Sequence, residues 1–154
     1  MTAPITADEI ESGVDLKHRH YFRVATAPLP RSMIGIVEAF WKSAAAISPA
    51  MWFSHPVHVI FASAPFSINL NNGELRYTPN SPDIINVHVE HIIFLDCYKM
   101  AGMLPDIQVA CILEELVHAL MHISDEHLVS VVVATLYPAI TWSDGKYSLA
   151  ETAF

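Results

Sequence analysis

Residues 106–122 read DIQVACILEELVHALMH. The run contains neither Gly nor Pro and begins directly after Pro105, with Asp106 at its first position. Those are helix-start signals followed by an uninterrupted helical pattern, and they predict a long helix over about 106–122. At about 100° per residue, Glu114, His118 and His122 fall in one row at i, i+4 and i+8, with Glu115 beside them three residues before His118. With Gln108 they cover roughly a third of the circumference, and everything else on the helix is apolar or small. The pattern predicts a nearly buried helix with one narrow polar stripe.

The stripe contains acids and histidines but no Lys or Arg; from Lys99 to Lys146 no basic residue intervenes. Solvated helix faces usually mix both charge signs. Adjacent carboxylates without a base repel unless a cation relieves them. Three readings stay open on the residues alone: a face turned to water, an acidic metal-binding site, or a network paired with the bases Lys17, Arg19 and Arg23 within the chain or across a dimer.

Working outward, Ser124 is expected to cap a second helix, with Asp125 and Glu126 in its first turn, where the dipole favours anions. HLVSVVVATLY (127–137) continues that helix up to Pro138, its valines leaving a strand as the alternative. Upstream, Thr6 and Glu9 have capping-box spacing before a short helix stopped at Gly13. Residues 16–25, LKHRHYFRVA, alternate like a half-buried strand with one cationic face. Ser32 is placed to cap a helix running to about Ile47, with Ile34, Val37, Phe40, Trp41 and Ala44 on one side. VHVIFAS (57–63) and IINVHVEHIIFLD (84–96) read as strands. Asn72-Gly73 marks a hairpin, and Asp144-Gly145 a later one. The expected fold class is α+β: an antiparallel or mixed, mostly antiparallel, sheet with helices on one face, in a single domain over 1–154.

The bulk composition narrows function. The chain is 53% hydrophobic and only 16% charged, an apolar excess that fits a large core or a homo-oligomer interface. Its formal net charge of −8 disfavours nucleic acid as a partner. No apolar run is long enough to span a bilayer, and the first residues have no signal-peptide pattern, so a cytoplasmic location is expected. Cys97 and Cys111 read as core thiols.

A carboxylate at i and a histidine at i+4 can reach one metal ion from one helix face. Glu114-Glu115-Leu116-Val117-His118 resembles the His-Glu-x-x-His motif with its first His replaced by Glu. With the order of elements over roughly 32–137, the chain resembles the zincin-like metallopeptidases. That resemblance implies Glu114 and His118 as metal ligands and Glu115 as general base toward metal-bound water. It implies a third ligand on the next helix, which Glu126 or Asp125 would supply, with His122 as a competitor. Zinc is the family's ion; Glu at the first ligand position shifts preference toward Mn, Mg or Fe. The implied function is a small metal-dependent hydrolase acting on peptide or protein. The alternative is a scaffold that kept the fold, lost catalysis and acts by binding. His55, His58, His88 and His91 read as structural histidines, any of which would serve as a remote ligand if the fold brought it near. A di-iron bundle would need a second Glu-x-x-His, which is absent.

Overall fold

The computed structural model describes residues 2–63, 66–70, 73–77 and 85–151. The element order is α1 (Ala7–Ser12), β1 (Phe22–Thr26), α2 (Ile34–Ile47), β2 (Val57–Ala62), β3 (Phe66–Leu70), β4 (Gly73–Tyr77), β5 (Asn86–Val89), β6 (Ile92–Asp96), α3 (Cys97–Met100), α4 (Pro105–Met121), α5 (Glu126–Leu136), β7 (Ile140–Ser143) and β8 (Lys146–Leu149). The fold class is α+β, as the sequence pattern indicates.

The main sheet has strand order β1-β2-β6-β5. It is mixed: β1 with β2 and β2 with β6 are parallel, and only β5 with β6 is antiparallel. Antiparallel pairing otherwise belongs to the separate hairpins β3–β4 and β7–β8. The register aligns Phe22 with Val57, Val59 with Ile93, and Phe61 with Leu95. All six are buried, and they form the apolar face against which the helices pack. Phe40 of α2 meets Phe22 and Phe61 edge-on at 5.9 and 5.5 Å, so aromatic contacts dock that helix on the sheet.

Helix α4 lies against α2, β5, β6 and α5. Its apolar residues are buried on nearly every side, from Val109 and Ala110 to Val117 and Ala119. Ser43 of α2 donates to the carbonyl of Val109 at 3.1 Å, which requires close approach of the two helices. Gln108 is buried, not part of an exposed stripe, and donates to the Met100 carbonyl at 2.7 Å. Among the described residues no single helix is long and apolar enough to cross a membrane.

Several local expectations change. The strand expected over 16–25 begins only at Phe22; Arg19–Tyr21 form a 3-10 turn, because Arg19 turns back to the carbonyls of Ser12 and Val14. In place of one strand over 84–96, the described residues form two, Asn86–Val89 and Ile92–Asp96, with Glu90 in the left-handed region at φ 52° between them. Ser32 sits in a 3-10 turn ahead of α2 and caps nothing. Asp125, not Ser124, caps α5 by accepting from the Leu128 amide at 2.7 Å. The Thr6 cap, the helical form of 126–136 and the Asp144-Gly145 hairpin are as expected, the last with φ of 52° and 77°. Asn72 lies outside the described residues, although the hairpin it was expected to turn is present as β3–β4.

Candidate metal centre

Glu114, Glu115 and His118 occupy the last two turns of α4, with Glu115 and His118 buried and Glu114 partly so. The helix ends at Met121. His122 then takes a left-handed conformation, φ 55° and ψ 34°, and reverses the chain. The expected row at i, i+4 and i+8 therefore breaks after His118: a 100° step does not apply outside the helix. His122 is exposed and its ring lies against His91, 5.7 Å between centres. The structure does not bring it to Glu114.

The same reversal brings Glu126 in. Helix α5 follows a bend of 113° after a four-residue link, and Glu126 is its first residue. One ligand atom each from Glu114, His118 and Glu126 lie within 4.8 Å of one another. The Asp125 carboxylate is occupied as the helix cap. Lys17, Arg19 and Arg23 take no part: the partners of Arg19 are backbone carbonyls, and β1, which carries Arg23, is separated from β5 by β2 and β6. The stripe is not neutralised within the chain by the basic N-terminal segment.

His118 Nδ1 is 2.6 Å from the Ile123 carbonyl oxygen. A carbonyl only accepts, so Nδ1 carries the proton and, in a neutral ring, Nε2 keeps its lone pair. That nitrogen faces Glu126 Oε2 at 3.3 Å. Two acceptors at this distance need a cation between them, a second proton or a metal ion. Metal-binding histidines commonly donate their other N–H to a carbonyl in this way, which fixes tautomer and orientation. Glu114 is oriented too: Tyr147 of β8 donates to its Oε2 at 2.6 Å.

Two more residues meet the site: His88, read from sequence as a structural histidine or remote ligand, and Tyr147, which the sequence did not single out. His88, on β5, lies face to face with His118, ring centres 4.3 Å apart and planes 12° off parallel. Its Nδ1 is 2.7 Å from Glu115 Oε2, so one proton is held between them. The alternation of INVHV put His88 on a strand face but did not say that α4 lies over it. Tyr147 had no signal beyond its place in the terminal hairpin.

Burial sets the proton affinities. It pushes Glu115 up to about 7, helped by the Glu114 charge and opposed by His118. Glu114 also rises through burial, with the Tyr147 hydrogen bond working against the shift. Burial lowers His88, and so does the neighbouring His118. Cys111 reaches the cleft, but burial and the two carboxylates push its thiol up to about 12, so it is a neutral wall.

These groups line a cleft of about 450 Å³ between α4 and β5. No family model matches this sequence, and no curated protein or solved structure matches it either. The chemistry of the donors therefore carries the functional argument. Two carboxylates and one imidazole suit Zn, Mn or Fe(II), and three protein ligands leave positions for water or substrate.

Proposed function

We propose that the chain binds one divalent metal ion through Glu114, His118 and Glu126, and that the cleft is a hydrolytic site of peptidase type. The observation that carries this reading is the His118 Nε2 lone pair held 3.3 Å from a carboxylate by the Nδ1 bond to Ile123. A metal ion there supplies Lewis acidity for a carbonyl and for water.

Glu115 is the proton-handling group. It is buried next to the donor set but is not one of the three donors, and its proton affinity near neutrality suits a general base that later acts as an acid. His88 receives or returns that proton across 2.7 Å. Peptide as substrate class is supported by β5, which among the described residues is paired only with β6 and whose residues 86–88 line the cleft. An open strand edge offers backbone groups to an extended chain.

The test is tag-free protein purified without chelators. One equivalent of Zn, Mn or Fe, lost in His118→Ala, is the expected result; less than a tenth of an equivalent, with no gain on soaking, would sink the proposal. Cleavage of a denatured protein substrate should then disappear in Glu115→Gln with the metal retained.

One observation favours a second reading. Glu115 is already bonded to His88, which suits a site that binds without turnover. In that case metal is present, no peptide or protein is cleaved, and Glu115→Gln leaves partner binding unchanged.

A further inference from the structure

His122, excluded from the first site, stands in a second group. His55, in the segment before β2, and His91, between β5 and β6, have ring centres 5.2 Å apart. His91 and His122, at the end of α4, are separated by 5.7 Å. Two imidazoles sharing one tetrahedral zinc at ~2.0–2.1 Å have ring centres about 5 Å apart. Both separations are of that size, with the His55 and His91 planes stacked 18° apart and the His91 and His122 planes at 77°. The recess between the three is only about 10 Å³, room for a single ion or water and for no organic ligand. No carboxylate, Lys or Arg lines it.

Backbone strain points to the same place. His122 and Glu90, next to His91, are two of the three non-glycine residues with positive φ among the described residues. Left-handed backbone at such residues costs of order 1 kcal/mol and tends to gather where side chains are aimed for a purpose. Here it ends α4 at His122 and forms the β5–β6 turn that carries His91.

We infer that His55, His91 and His122 form a second metal site, separate from the acidic one and taking a borderline transition ion, Zn²⁺, Ni²⁺ or Cu²⁺, on imidazole nitrogen alone. Donor chemistry separates the two sites: carboxylates in the first accept Mn or Mg, whereas three neutral imidazoles do not favour such hard cations. The first site's donors already lie within 4.8 Å of one another. The three imidazole donors of the second do not lie that close together, so ion binding there requires rotation of the exposed His55 and His122 side chains. Ser54 hydrogen-bonds His55 Nδ1 at 2.9 Å, which leaves Nε2 as the nitrogen an ion would take.

Trp52 borders the recess and is 98% exposed, which makes it a reporter. The probe is Cu²⁺, the tightest-binding of these ions and a fluorescence quencher. The protein is tag-free, full-length His118→Ala, which disables the acidic site. Micromolar Cu²⁺ should quench its tryptophan emission. His55→Gln, His91→Gln and His122→Asn, each added to it, should raise the half-quenching concentration at least tenfold. Asn tolerates the left-handed backbone at 122. His127→Gln, an exposed histidine outside the recess, should leave the concentration unchanged. Trp52→Phe should remove most of the quenching while one Cu²⁺ still binds by equilibrium dialysis. No quenching in His118→Ala, or a shift below twofold in both His55→Gln and His122→Asn, overturns the proposal. Because His118→Ala removes the acidic site beforehand, failure here is distinguishable from failure there.

Discussion

His118 donates through Nδ1 to the carbonyl of Ile123, two residues beyond the end of α4, at 2.6 Å. One bond therefore ties the orientation of the imidazole to the turn that begins α5. It aims Nε2 at Glu126, the first residue of that helix. Ligand geometry and helix reversal are the same structural event.

Glu126 should be dispensable for folding and necessary for metal. Its side chain is 77% exposed, so Glu126→Gln removes little from the packed protein. We expect a melting temperature within about 2 °C of the parent, since exposed substitutions usually stay within ~0.5 kcal/mol. Metal affinity should fall by at least tenfold. Titration of the metal-free protein with Mn²⁺ and Zn²⁺ measures both sides, and an unchanged affinity removes Glu126 from the ligand set.

Tyr147→Phe removes the hydroxyl that supports Glu114 and also meets Ser130. The hydroxyl donates to Glu114 Oε2 at 2.6 Å, and the ring otherwise packs in place. A hydrogen bond to a charged group contributes about 1.5–3 kcal/mol, so a measurable loss of stability is expected. Partners of metal ligands typically change affinity by about 10–100-fold. Both effects should appear together in the Phe variant. A stability loss with unaltered metal affinity would make Tyr147 a structural clamp alone.

The long helix was legible because Pro105, the absence of Gly and the apolar pattern all agree over 106–121. Glu114, Glu115 and His118 were legible for the same reason, since periodicity holds inside a helix. His122 failed one residue past its end. A left-handed residue there needs no glycine, and nothing in Met121-His122-Ile123 marks the turn. Glu90 hid the break between β5 and β6 in the same way, in a stretch that is otherwise β-branched. His88 and Tyr147 come from a distant strand and hairpin, and only the packing of α4 on β5 and β8 brings them to Glu115 and Glu114. Local pattern carries no information on that packing.

Gly13 tests the docking of α1. A Cβ at this position would lie 2.0 Å from Trp41 Cε2, while the Trp41 indole donates to the Ile10 carbonyl at 2.7 Å. Gly13→Ala must therefore displace the indole or the end of α1. Overpacking of this kind costs about 1–3 kcal/mol. Thermal unfolding should show a fall of several degrees. Trp41→Phe in the same background should recover part of it; no loss in Gly13→Ala would mean that α1 shifts freely.

Glu115 gives the metal-free protein a distinctive pH dependence. The folded protein holds the proton on this carboxyl up to about 7, whereas a free glutamate releases it near 4.5. Unfolding between those values releases a proton, so the contribution of Glu115 to stability is complete below pH 4.5 and declines as pH rises to about 7. Glu114, also raised by burial, acts in the same direction. His88 acts oppositely on the acid side of its range, because its lowered affinity makes protonation unfavourable in the folded state. Comparison with Glu115→Gln reads the contribution of this carboxyl together with its coupling to Glu114 and His88. The variant should gain on the parent as pH rises from 5 to 8, by at most about 3 kcal/mol. Chemical denaturation with chelator at pH 5, 6, 7 and 8 measures that difference. A gap between parent and variant that does not change with pH would show that Glu115 is not desolvated as the packing of α4 against β5 requires.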